Sequence, residues 1–133
     1  SGSGQAAKMC NNMILGISMI GVCESFTLAK KIGLDLKKLY EVSSNSSGSC
    51  WALNTYCPAP DIGPETPADK NYSPGFSSEL MLKDLMLAQD AAIQSNSHTP
   101  LGNHAMKIYE ELLNEGGKGK DFSYVFPFFY KKK

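Results

Sequence analysis

The chain has 133 residues, with 13 Lys or Arg set against 13 Asp or Glu, so its net charge is zero. One domain of this length buries roughly two-thirds of the surface its unfolded chain exposes. A balanced charge gives no basic footprint for nucleic acid or an anionic membrane, and no positively charged start runs into an apolar stretch as a secretory leader requires.

The chain opens on GSGQAAKMCNN, residues 2–12. The glycines are spaced like those of a phosphate loop, but no strand precedes them and no Lys-Ser or Lys-Thr pair follows. Over residues 5–32 apolar side chains recur at helical spacing (Ala6, Met9, Cys10, Met13, Ile17, Ile20, Phe26, Ile32). That pattern predicts one helix of about 27 residues, roughly 40 Å long. Its middle is apolar all round, which implies burial on most sides. The near-apolar run at residues 13–23 is too short to span a bilayer. Gly16 and Gly21 weaken this helix by about 1 kcal/mol each relative to Ala, so close packing against a neighbour is the expected compensation. Gly33 ends it as a left-handed cap, after Lys30 and Lys31 at the negative end of the dipole.

Asp35 is placed to cap a second helix through Leu39, Tyr40 and Val42. That helix stops in SSNSSGS, and residues 50–56 read as a short helix. Five prolines between residues 57 and 74 mark an irregular loop, which in a compact domain is functional or packed over something. Helical pattern returns at residues 76–95, with Lys83 and Asp84 among leucines. Thr99 before Pro100 starts another helix, which Gly116 and Gly117 end. Asp121 is placed to cap a last helix through Phe129, and the closing lysines form a solvated tail. No alternating strand pattern occurs, so the class is all-α, a helical bundle built around one long N-terminal helix.

The cysteines match no metal spacing. Cys10 and Cys23 read as buried thiols on the long helix, Cys50 and Cys57 have six residues between them, and His98 and His104 lie apart from both. No metal is expected, and so few cysteines suit a reducing compartment.

Lys8 and Asn12 are four residues apart and share a helix face. A lysine near the positive end of a helix is electrostatically misplaced, and such an amine, partly buried, suits proton transfer. Asn12 can accept from an ammonium and donate to a substrate oxygen. Lys83, read as buried, needs either a carboxylate partner or an anionic ligand; Asp84 reads as a pairing or capping group. The turn SSGSCW offers backbone N–H groups around Ser47 and Gly48 with Trp51 behind, as a helix stop or a pocket wall. Phe76, after Pro74-Gly75, reads first as core.

GSGQAAKMCNN resembles the G-x-G-x-x-x-K-x-x-x-N motif of the β-hydroxyacid dehydrogenases, with Gly2, Gly4, Lys8 and Asn12 in register. GLDLKKLYEVSSNSSGSCW, NYSPGF, LMLKDLMLAQD and KDFSYVFPFF resemble the 3-hydroxyisobutyrate dehydrogenase branch, so the likeness covers residues 2–129. It implies the family's C-terminal helical domain, of the 6-phosphogluconate dehydrogenase type, over residues 1–133. The N-terminal Rossmann domain with its G-x-G-x-x-G fingerprint is absent from this chain. The resemblance further implies NAD as cofactor, Lys8 as general acid/base, Asn12 holding lysine and substrate, and Lys83 contacting the cofactor. Ser47, Gly48, Trp51 and Phe76 would line the substrate side. The substrate would be (S)-3-hydroxyisobutyrate of valine breakdown in the mitochondrial matrix. The helical domain would build a homodimer or higher assembly and be inactive alone. The alternatives are a non-catalytic helical interaction module of the same fold, or a related glyoxylate or tartronate semialdehyde reductase.

Overall fold

The computed structural model describes residues 2–133, and the described residues form six α-helices without a β-strand. They are α1 (Gly2–Lys31), α2 (Leu36–Ser43), α3 (Trp51–Asn54), α4 (Ser78–Ser95), α5 (Pro100–Asn114) and α6 (Val125–Lys131). The one β-type contact is an isolated bridge between Ser77 and Asp121. Helix α1 is the axis of the bundle, and every other helix packs against it. The core joins Met19, Cys23 and Phe26 of α1 to Met81 and Leu85 of α4, Tyr109 and Leu112 of α5, and Phe122, Val125 and Phe126 near the C-terminus.

Several local signals act as the sequence implies. Gly33 takes φ = 85° beyond α1, and the Asp35 carboxylate accepts from the Lys37 N–H at 3.1 Å. The proline-rich loop is internally bonded. Thr66 caps a 3₁₀ turn at Pro67–Lys70, its hydroxyl donates to the Cys57 carbonyl at 3.1 Å, and Tyr72 donates to the Pro58 carbonyl at 2.6 Å. Those bonds satisfy backbone groups that a loop covering Cys57, Ala59 and Ala68 would otherwise leave unpaired.

Other expectations change. Helix α1 begins at Gly2, so Gly2 and Gly4 are helical and form no entry loop. Extending an established helix fixes one residue per added bond, and no proline intervenes to stop it. Over its whole length, by composition alone, α1 is long and apolar enough to cross a membrane; in this fold it is the bundle's axis, with Ile14 and Leu28 more than 60% exposed. Gly16 packs tightly, since a Cβ there would lie 3.1 Å from Met81 Sδ, but nothing approaches Gly21. Thr99 uses its hydroxyl on Gln89 Oε1 at 3.3 Å and makes no side-chain cap.

Cys10 is exposed, because it falls on the open side of α1, whereas Cys23 and Cys57 are buried. Burial pushes the Cys57 thiol up to about 11 and the Cys23 thiol well up. Thiol reagents are therefore expected to label Cys10 first and to reach Cys23 and Cys57 only on unfolding, read by mass spectrometry. The folded chain holds these protons where the unfolded chain releases them, so stability falls as pH rises above the ordinary thiol value of 9.0 toward 11.

The end of α5 depends on a close approach. Gly116 takes φ = 98°, and a Cβ on Gly117 would collide with the buried Leu112 side chain and lie 2.7 Å from its carbonyl oxygen. Gly117→Ala is expected to cost about 1–3 kcal/mol, measured as a lowered denaturation midpoint at unchanged slope.

Candidate active site

Two helices build the site. Asn12 lies on the α1 face turned to α4, and the open surface at Gly16, one turn on, lets α4 come close through Met81 and Leu85. That approach places Asp84 of α4 against Asn12. Asn12 Nδ2 donates to Asp84 Oδ2 at 2.7 Å, a short charge-assisted bond between residues 72 apart in sequence. Asn11 Nδ2 donates to Asn12 Oδ1 at 3.2 Å.

Around this pair opens a cleft of about 320 Å³ lined by Gln5, Lys8, Met9, Asn12, Lys83, Asp84 and Leu87. Lys8, Asn12 and Lys83, singled out in the sequence for chemistry, thus converge. Two lysines against one aspartate give the lining a charge of +1, suited to an anionic ligand. Asn12 is 9% exposed, while Lys8 and Lys83 are exposed at the cleft's mouth.

Two expectations about the lysines are corrected. Lys83 is not buried and makes no ion pair among the described residues. Nearby Leu80, Met86 and Leu87 are themselves 46–50% exposed, while the buried stripe of α4 runs through Met81, Leu85, Ala88 and Ala92 with Leu82 at its edge. Lys8 is exposed, not partly buried as expected.

The residues expected on the substrate side do not line this cleft. Trp51 is 52% exposed and lines an adjoining groove of about 460 Å³ with Asn11, Ile14, Leu15 and Ser18. Gly48 lines a third depression with Ser18, Gly21 and Ser25; Ser47 is exposed nearby. Phe76 is half-buried, its ring edge-on to Phe122 at 5.5 Å.

One residue the sequence presented as a mere helix cap organises this region. The Asp121 side chain is completely buried. Its Oδ1 accepts from Tyr56 Oη at 2.8 Å and from the Gly75 and Phe76 N–H groups at 2.9 Å each. Its Oδ2 accepts from the Ser123 hydroxyl at 2.6 Å and its N–H at 3.1 Å. Burial, and then the bond to Asp121, raise the Tyr56 hydroxyl above the ordinary phenol range. Tyr56 in turn stacks on Trp51 at 5.0 Å. Asp caps are local signals, so nothing in the sequence pattern pointed to partners 45 to 65 residues away.

An all-α bundle whose central helix carries a lysine and an asparagine one turn apart, with a second lysine lining the same cleft, agrees with the helical domain that the likeness to the hydroxyacid dehydrogenases implies. A family model described as NAD-binding of NADP-dependent 3-hydroxyisobutyrate dehydrogenase matches residues 2–129. The chain belongs to that 3-hydroxyisobutyrate dehydrogenase family. It is 49% identical to the mitochondrial 3-hydroxyisobutyrate dehydrogenase of Drosophila melanogaster, over 99% of this chain and 41% of that protein. To the human mitochondrial enzyme it is 48% identical, over 96% of this chain and 38% of that one. The solved Mycobacterium tuberculosis 3-hydroxyisobutyrate dehydrogenase with L-serine superposes with a TM-score of 0.92 at 43% identity, covering 97% of this chain and 44% of that one. The chain thus spans about two-fifths of the length of the relatives it matches.

Proposed function

We propose that the chain is the C-terminal helical domain of an NAD-dependent 3-hydroxyisobutyrate dehydrogenase, acting with an N-terminal Rossmann domain and inactive alone. The substrate is (S)-3-hydroxyisobutyrate, oxidised to methylmalonate semialdehyde in valine breakdown. The observation that carries this reading is the convergence of Lys8, Asn12, Lys83 and Asp84 on one net-positive cleft. The substrate's carboxylate suits that charge.

Bound NAD would supply the hydride acceptor for the hydroxyl carbon. Lys8 takes the hydroxyl proton as that carbon is oxidised and returns it in the reverse direction. Asn12 holds the lysine and the substrate oxygen. Lys83 would hold the cofactor, and it fits because its ammonium is exposed without an ion pair among the described residues. The exposed Leu80, Met86 and Leu87 beside Lys83 suit coverage by the nucleotide-binding half.

Trp51, in the adjoining groove, and Ser47, Gly48 and Phe76 are assigned to the substrate side by likeness to the family alone, since none of them lines the lysine cleft. Exposed Ile14 and Leu28 on α1, with Ile93 and Leu101, support a homodimer or higher assembly. Likeness to the Drosophila and human proteins supports the mitochondrial matrix as location, while relatives in Mycobacterium are bacterial. The test is turnover of 3-hydroxyisobutyrate with NAD by the full-length enzyme and by its Lys8→Ala form. Undiminished turnover in the variant would remove Lys8 from the chemistry.

A further inference from the structure

We infer that Asp84 is a positioning residue for Asn12: it dictates which end of the Asn12 amide faces which neighbour, and so presents the amide carbonyl to Lys8. The inference rests on Lys8 being the acid/base. An ionised carboxylate only accepts hydrogen bonds. Against Asp84 Oδ2 at 2.7 Å, Asn12 must therefore present its NH₂; the flipped amide would set two acceptors in contact.

The other end of the amide agrees with that sense. Asn12 Oδ1 accepts from Asn11 Nδ2 at 3.2 Å, so both ends of a 9%-exposed side chain are held. A carbonyl oxygen has two lone pairs. Asn11 takes one, and the second remains for the ammonium of Lys8, one turn earlier on the same face and lining the same cleft. The NH₂ group likewise keeps one hydrogen beyond Asp84 for a substrate oxygen. The close approach at Gly16 matters here, because it brings α4 near enough for so short a side chain as Asp84 to reach.

The rival is that Asp84 contacts substrate or cofactor directly, since it too lines the cleft. A double-mutant cycle on kcat in the full-length enzyme separates the two. Asp84→Ala is expected to lower kcat on the order of tenfold to a hundredfold, as misplacement of a reacting group does. In an Asn12→Ala background the same change should cost less than about twofold. Asp84→Asn, which can still accept from Asn12 but no longer forbids the flip, should restore part of the loss and keeps the test alive if the Ala variant folds poorly. Additive losses, or an unchanged kcat in Asp84→Ala, would overturn the inference. The parallel Lys8→Ala measurement separates the levels: full activity there sinks the acid/base reading, whereas lost activity there with an additive cycle sinks only the role of Asp84.

Discussion

Lys8→Ala in the full-length enzyme is expected to lower kcat for 3-hydroxyisobutyrate by about 10²–10⁴-fold, the usual contribution of one positioned acid/base. That corresponds to roughly 3–5 kcal/mol of barrier. Stability should move by no more than about 0.5 kcal/mol, because the Lys8 side chain is exposed. The KM for NAD should stay near its original value, since Lys83 is the residue assigned to the cofactor. Lys8→Arg should be nearly as inactive as the Ala form: a guanidinium keeps the charge but does not release its proton near neutral pH. Steady-state kinetics beside thermal unfolding checks all of this. An Arg variant with full turnover would mean that position 8 supplies charge alone.

Asp121→Ala carries the largest expected effect on stability. It strands three backbone N–H groups, of Gly75, Phe76 and Ser123, and the hydroxyls of Tyr56 and Ser123, all now bonded to one buried carboxylate. Each buried group left unpaired costs about 1–3 kcal/mol, and dismantling a buried charged network costs about 3–5 kcal/mol. The melting temperature should fall by roughly 10–20 °C for a chain of this size. Asp121→Asn should lose less, since one amide oxygen still accepts from the 75–76 turn while the NH₂ group meets the donors of Ser123. Thermal unfolding followed by circular dichroism reads both, and an Asp121→Ala midpoint within about 2 °C of the parent would mean that the network adds little.

How far the sequence reveals this molecule depends on the reach of each signal. Local signals carry well: Gly33 adopts its left-handed cap, Asp35 caps α2, and helical periodicity places α1, α4 and α5 to within a few residues. Lys8 and Asn12 meet in one cleft because a spacing of four fixes a shared helix face. Lys83 enters that cleft through tertiary packing, which only the likeness to a family could anticipate. Long-range pairings are silent in sequence, as with Asn12 to Asp84 and Asp121 to Tyr56, because hydrogen bonding across 65 or 72 residues leaves no period to read. The expected burial of Lys83 fails for a related reason: leucines close in sequence point around a helix in several directions, so Leu82 and Leu85 turn to the core while Leu80, Leu87 and Lys83 itself are exposed. Gly2 and Gly4 look like loop residues by propensity, yet the long helix behind them carries them.

Rescue of the Lys8→Ala enzyme by a small primary amine tests the central claim most directly. The cleft is open and, at about 320 Å³, has room for methylamine where the lysine head-group was. Turnover of 3-hydroxyisobutyrate should rise saturably with methylamine concentration, and the gain should follow the free-base fraction of the amine as pH is raised. Quaternary tetramethylammonium, which has charge but no proton to exchange, should give none. Turnover indifferent to methylamine, or restored equally by tetramethylammonium, would contradict an acid/base role for Lys8 in this cleft.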